Sequence, residues 1–378
     1  MTEHPVVGAT DTVSPGVLDR LVRAGVTALG ALPEPAIARL AGAPTVIDGQ
    51  SLEPEVQAAL RVLHLIPGPT FEELPLDQGR RQIDVEAWQF GGRPEPVGRI
   101  QDLLIPGAAG PIPARLYHPV GTASPDSLPA EDASAPPLVV YFHGGGFVLG
   151  SIASHEPIAR FLAHHARVAV LLVGYRLAPE HPFPAGHEDA IAAYAWATSH
   201  TEQLGVAPRI AVAGDSAGGN LAAAVSIAAR DRGLPLPALQ VLLSPWLDLA
   251  SERRSRRLFD EHYFLTVAQL DWYRDHLLTD PALATDPRVS PLREQVLTGL
   301  PPTYLGYAGF DPLRDESREF AGHLRQAGVP VVEHCHGGHI HPFSNVLGVG
   351  RTGRAAALQI AQAIGETLRQ SDETGGER

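Results

Sequence analysis

The sequence contains no lysine; all 29 of its basic residues are arginine. That absence excludes Schiff-base chemistry, a phosphate-binding Walker lysine and the Ser-x-x-Lys acyl-transfer pattern. Cysteine is almost missing as well. Cys335 stands alone, so neither an intrachain disulfide nor a cysteine-rich zinc site can form. No uncharged apolar run reaches about 18 residues, which excludes a spanning helix and stable membrane insertion. Positive charge is in deficit: 29 basic against 42 acidic residues leave a net charge of −13. Nucleic acid and anionic membrane surfaces are therefore disfavoured as partners. Met1 to Thr10 lacks the basic start and apolar run of a signal peptide. Together these absences lead to the expectation of a cytoplasmic protein.

What is present is enough for a large core. The chain has 378 residues, 44% of them hydrophobic, which suits one big α/β domain or a domain with an appendage. Met1 to Asp48 reads as a helical extension (residues 1–50 as a unit). Ser14-Pro15 serves as helix start, and Val17, Leu18, Leu21, Val22 and Leu29 form an apolar face that packs on the main body or on a partner subunit. A homodimer is thereby left open. Residues 51–98 hold two further helical pieces. In the first, Val56, Leu60, Leu63 and His64 fall at amphipathic spacing, and Pro67-Gly68-Pro69 stops it. The second, Leu76 to Gln82, is a polar helix or loop. Both are too short for a core of their own, and a lid is one option.

From about Arg99 the character changes. Two strands, Leu103 to Ile105 and Ile112 to Tyr117, are separated by a Pro-Gly turn. Gly121 to Pro137 reads as a solvated loop. Apolar strand runs follow at Leu138–Phe142, Val168–Val173, Ile210–Ala213, Leu239–Leu243, Thr303–Ala308 and Val331–Cys335, with helical stretches between them and a closing helix at Arg351–Arg369. Strand–helix alternation predicts an α/β fold with a mostly parallel eight-stranded sheet, helices on both faces and an antiparallel start. Residues 99–378 form this unit. An aromatic-rich helical insert near 255–285 interrupts it and reads as a second lid piece.

The chemistry stands where such sheets bind ligands, at the carboxyl ends of the strands. After the third strand comes His143-Gly144-Gly145-Gly146. After the fifth comes Gly214-Asp215-Ser216-Ala217-Gly218-Gly219, a G-x-S-x-G turn from strand to helix. After the seventh comes Asp311, and past the eighth comes His341. The chain order Ser…Asp…His is that of α/β-hydrolases.

These motifs together resemble the hormone-sensitive-lipase-like branch of the α/β-hydrolases, the bacterial family IV carboxylesterases. His143-Gly-Gly-Gly-Phe147 and Gly214-Asp-Ser-Ala-Gly-Gly219 match that family's two glycine motifs. The stretch Tyr175 to Ala185 and Asp311-Pro-Leu-Arg-Asp315 are similar to two more. The resemblance covers roughly Ser51 to the C-terminus. It departs at His341-Pro342-Phe343, where the family commonly has H-G-F. It implies a helical cap and a small-molecule ester substrate of short to medium acyl chain. Ser216 would be the nucleophile, His341 the base and Asp311 its orienting acid. The N–H groups of Gly145, Gly146 and Ala217 would receive the oxyanion. His143 and Gly144 would order the glycine loop, and Asp215 would be structural. No metal and no organic cofactor is implied.

Other readings stand beside this one. An amidase, lactonase or acyltransferase can use the same triad. A non-catalytic binding module, as in the plant gibberellin receptors, lacks the histidine that is present here. His334, His336, His339 and His341 have zinc-like spacing, but no matching motif occurs elsewhere, and three of them read as satisfied or exposed residues. Cys335 reads as a buried strand residue. The run Arg253, Arg254, Arg256, Arg257 reads as a solvated loop.

Overall fold

Two helices lead the chain, α1 (Val17–Ala31) and α2 (Glu34–Ala41). They are followed by the hairpin strands β1 (Val46–Ile47) and β2 (Gln50–Ser51). Helices α3 (Pro54–Leu63) and α4 (Leu76–Phe90) come next. The computed structural model describes residues 15–65, 68–121 and 135–370. The expectations for Met1 to Thr10, Ser14, Pro67 and the stretch 122–134 lie outside the described residues.

Three local expectations are corrected here. α1 starts at Val17 with Gly16 as its cap, whose N–H donates to Asp19 Oδ2 at 2.8 Å. Of its expected apolar face, Val22 and Leu29 are half-buried, while Val17, Leu18 and Leu21 are exposed in this single chain. The helix is held by Arg23, whose guanidinium lies over the Trp88 ring and donates to Trp88 O and Gly92 O. The polar piece from Leu76 runs on as a full helix to Phe90. The arginine run is no solvated loop. Arg256 is buried and donates to Asp248 O at 3.1 Å. Arg253 bridges Asp248 and Glu319, and Arg254 reaches Asp48.

Asp48 and Gly49 both take positive φ, 56° and 76°, which a two-residue hairpin turn between twisted strands requires. This turn delivers the Asp48 carboxylate to Arg314 Nη2 at 2.8 Å, deep beneath the sheet's edge, where Arg314 is 1% exposed.

The main sheet follows. β3 (Arg99–Gly107) and β4 (Gly110–His118) form an antiparallel pair. β5 (Leu138–Phe142), α5 (Ile152–Ala166), β6 (Ala169–Val173), α6 (Ala185–Ser199), α7 (Thr201–Leu204), β7 (Ile210–Asp215), α8 (Ala217–Arg232) and β8 (Leu239–Leu243) alternate. After β8 come α9 (Arg254–Leu258) and α10 (Val267–Leu277). The chain ends with β9 (Thr303–Phe310), α11 (Arg314–Gln326), β10 (Val331–Ile340) and α12 (Thr352–Gln370). Eight strands lie in the order β10-β9-β8-β7-β5-β6-β4-β3, parallel from β10 to β6, with β4 antiparallel to both neighbours. This agrees with the expected mostly parallel sheet.

Alternation along each strand divides the core in two. Val139, Tyr141, Leu172 and Val241 face α5 and α12, where Phe161, Ile360 and Ile364 are buried. Leu138, Val140, Leu171 and Leu242 face the other layer with Tyr194, Leu221 and Phe320. The central strands β5 to β8 are buried along their whole length, as continuous apolar runs in a covered parallel sheet should be. From β5 the chain winds outward to β6, then returns to place β7 on the other side of β5. The loops after β5 and β7 therefore diverge and leave a crevice at their carboxyl ends.

Candidate active site

Ser216 sits in that crevice, between the end of β7 and the first residue of α8. Its φ of 56° and ψ of −119° are strained for a side-chain-bearing residue, at a cost of about 1–3 kcal/mol. The strain is held by three bonds. Ser216 N donates to Leu243 O at 2.9 Å, and Ser216 O accepts from Asn220 N and Trp246 N, each at 3.1 Å. The flanking glycines are obligatory on space alone. A Cβ at Gly214 would stand 2.2 Å from Gly218 O, and one at Gly218 would stand 1.9 Å from Phe142 O. Both obstacles are backbone atoms that cannot turn aside.

The loop after β5 brings Gly144, Gly145 and Gly146 alongside. Gly145 and Gly146 take φ of 113° and 60°. His143 stacks on Tyr175 with ring centroids 4.3 Å apart, and its Nδ1 meets Gly144 O at 2.9 Å. Burial pushes the His143 imidazole down to about 3, with the nearby His155 adding to the effect, so His143 is neutral at pH 7 and orders the loop. Gly144 N donates to His155 Nε2 at 3.0 Å. Gly145 N, Gly146 N and Ala217 N donate to no protein group among the described residues. Three amides thus stay unspent beside Ser216, the last at the positive end of α8.

β9 and β10 supply the other pair. Asp311 follows β9 and His341 follows β10. His341 Nδ1 lies 2.9 Å from Asp311 Oδ2, and Asp311 Oδ1 accepts from Leu313 N at 2.8 Å. Both side chains are buried, Asp311 completely. β10 runs five residues further than expected, with a register irregularity between His336 and Ile340. That extension carries His341 to the crevice. Pro342 follows it, and Phe343 is buried against the His336 ring.

Asp215 does not face substrate chemistry. Its Oδ1 accepts from Tyr141 OH at 2.8 Å and its Oδ2 from Asn345 Nδ2 at 2.9 Å, with His155 at 3.3 Å. Burial pushes this carboxyl up, but the His155 imidazole and the Tyr141 and Asn345 hydrogen bonds outweigh it and hold it at about 2. A permanent anion therefore ties the elbow to the glycine loop and to the loop beyond His341. His155, Tyr141 and Asn345 escaped the sequence reading. A signal existed for His155: it follows the capping pair Ser151 and Ser154, whose hydroxyl lies 2.8 Å from His155 Nδ1.

Ser216, Gly145, Gly146 and His341 line one cavity of about 180 Å³. Its outer walls come from Val56 and Leu60 on α3, Ile83 and Phe90 on α4, and Tyr273 on α10. The two helical pieces touch: Phe71 stacks on Tyr273 at 5.3 Å, and Gln269 donates to Glu72. Tyr273 also roofs the glycine loop. A Cβ on Gly146 would meet the Tyr273 ring at 2.2 Å, at a φ that side chains resist. Gly146→Ala should therefore displace the loop and its amides. We expect kcat to fall about 100- to 1,000-fold, the typical loss of one oxyanion donor, with KM much less affected. Steady-state kinetics on an activated ester reads this directly.

Of the other singled-out histidines, His339 lines this cavity too. His336 and His339 are buried beside His341, while His334 is half-buried. Cys335 is exposed on the sheet's edge strand, against expectation. Among the described residues, one group, Glu95, His164 and His165, has a spacing that could hold a metal ion. There Arg354 already occupies Glu95 Oε1 at 2.6 Å.

A family model described as alpha/beta hydrolase fold matches residues 139–345. The chain is 39% identical over 355 residues to the carboxylic ester hydrolase LipN of Mycobacterium tuberculosis, covering 91% of each chain. It is 34% identical to the ethyl acetate hydrolase of Pseudomonas putida, over 84% of this chain and 100% of that one. The solved structure of an esterase from Pyrobaculum calidifontis superposes with a TM-score of 0.74 at 37% identity, covering 83% of this chain and 98% of that one.

Proposed function

Because the chain belongs to the α/β-hydrolases of the hormone-sensitive-lipase-like branch, and is a carboxylic ester hydrolase, we propose that it works by serine acyl transfer with Ser216 as nucleophile. His341 Nε2 accepts the Ser216 proton as Oγ attacks the ester carbonyl. Asp311 holds the ring through Nδ1 and stabilises the imidazolium that forms. The carbonyl oxygen becomes an oxyanion and takes the N–H groups of Gly145, Gly146 and Ala217. His341 gives its proton to the leaving alcohol. It then draws a proton from water, which attacks the acyl-enzyme and releases the acid.

One observation carries this reading: the unspent backbone amides of Gly145 and Gly146 share a single cavity with a strained serine and a histidine already anchored by a carboxylate. α3, α4 and α10 act as the cap, and their apolar walls suit acyl or alkyl chains of short to medium length. Purified protein should release p-nitrophenol from p-nitrophenyl acetate and butyrate. Where deacylation is slower than acylation, a pre-steady-state burst equal to the enzyme concentration should appear. Anilides, lactones and added alcohols in the same assay distinguish amidase, lactonase and transferase activity, and faster turnover of any of these would redirect the assignment. No described helix is long and apolar enough to cross a membrane. We also infer a cytoplasmic location, which cell fractionation tests.

A further inference from the structure

The wall of the cavity contributed by α4 contains an anomaly. Ile83, Glu86, Ala87 and Phe90 line the cavity at spacings of three, four and seven residues, one stripe of a single helix face. Such a stripe calls for apolar residues, and three of the four are apolar. The fourth is a carboxyl group. Glu86 points into the same space as Ser216, and among the described residues its hydrogen-bond partner is Gln82, whose Nε2 donates to Oε1 at 2.8 Å. A carboxyl group has acceptor sites for about four hydrogen bonds, so most of its capacity is unused. Among the described residues no guanidinium is paired with it, although arginine–carboxylate pairs are frequent elsewhere in this chain.

Glu86 is half-buried, and a carboxyl set in a largely apolar cavity wall with most of its acceptor capacity unused is placed to accept from a ligand. We infer that Glu86 selects esters carrying a hydrogen-bond donor, a hydroxyl or an ammonium group, on the arm of the substrate that lies under α4. This rests on the serine-esterase reading above and adds to it a substrate class. The neighbourhood is consistent with a donor and not with an anion. Glu72 lies close by and accepts from Gln269; burial pushes the Tyr273 phenol up, and the Glu72 and Glu86 carboxylates add to that shift. Burial raises the pKa of Glu86 itself, with the Gln82 bond opposing. A carboxyl so placed can accept from an incoming hydroxyl in either protonation state, and an ammonium group would draw it into its charged form.

Matched ester pairs test this through kcat/KM. In the acyl arm, p-nitrophenyl 3-hydroxybutyrate is compared with p-nitrophenyl butyrate. In the alcohol arm, 4-hydroxybutyl acetate and 4-dimethylaminobutyl acetate are compared with pentyl acetate by pH-stat. A wholly apolar pocket disfavours an added hydroxyl by up to about 100-fold. Wild-type enzyme should instead prefer the donor-bearing ester in at least one arm. In Glu86→Leu that preference should fall about 10- to 100-fold, and Leu suits the apolar stripe well enough for the helix to fold. In Glu86→Gln, isosteric with the native residue, the hydroxyl preference should persist and the ammonium preference should drop. Wild-type enzyme that disfavours the donor in both arms overturns the inference, and so does an unchanged preference in Glu86→Leu. Either result leaves the esterase reading intact, because the plain esters are still hydrolysed. Failure of wild-type enzyme on every ester strikes the esterase reading itself.

Discussion

Ser216→Ala lowers kcat/KM for p-nitrophenyl butyrate by about 100,000- to 1,000,000-fold, the loss seen when the nucleophile is removed from a serine-hydrolase triad. The structural reason for confidence in a clean experiment is that the change deletes one atom. Alanine keeps the Cβ that already occupies the strained φ of 56°, and none of the three backbone bonds at this position involves Oγ. The thermal midpoint should stay within a few degrees of wild type, read by calorimetry or circular dichroism. What remains is the weak catalysis of the oxyanion amides and binding. Turnover near the wild-type level in a folded Ser216→Ala protein would remove Ser216 from the mechanism.

The second large effect concerns a choice among neighbours. Four histidines crowd the end of β10, and they are chemically alike in sequence. The structure separates them by partner and by charge. His341 Nδ1 has the Asp311 carboxylate, which can stabilise a ring that gains a proton. Among the described residues His336 and His339 have no carboxylate hydrogen bond, and burial pushes them down to about 3 and about 4. The neighbouring His334 and His339 add to the shift of His336, while Glu55 partly opposes that of His339. Both are neutral at pH 7, and protonation would be resisted by the surrounding protein. His341→Ala should therefore cost about 10,000- to 1,000,000-fold in kcat. His336→Ala should act mainly through lost packing against Phe343, and His339→Ala through a reshaped cavity wall, each within about tenfold in kcat/KM. Measured side by side on one ester, the reverse ranking would transfer the base role to another ring.

How much of this was readable beforehand varied with the kind of information needed. The central strands are short runs of five or six residues that are almost wholly apolar, so local pattern was sufficient to find them. β10 was underestimated because its second half, His336-Gly337-Gly338-His339, has neither the β-branched residues nor the alternation of a strand. Its pairing with β9 supplies the order that composition does not. α4 was half seen because its polar residues dominate; the apolar stripe is visible once the cavity it faces is known. In α1 the periodicity was real, but the contact that anchors the helix in this chain, an arginine stacked on Trp88, carries no apolar signal. Strand-end positions, chain order and the family's motifs brought Ser216, Asp311 and His341 into one set, and the structure places Ser216 and His341 on one cavity. The supports were not legible. His155 and Asn345 meet Asp215 across 60 and 130 residues, and no local pattern encodes such a meeting.

The hairpin at Asp48 has a consequence for how the molecule is made. Its carboxylate and Arg314 are 266 residues apart in the chain. At about 5–20 residues per second of synthesis, Asp48 leaves the ribosome roughly 15–50 s before its partner exists. Arg314 in turn lies three residues beyond Asp311, and His341 is later still. A nascent chain can therefore close the turn at Ser216 and its glycine loop while the other half of the machinery is unbuilt. With His341 as the proposed base, a growing polypeptide that has made Ser216 but not the last strand still lacks that base, and its serine stays unarmed until the strand is added.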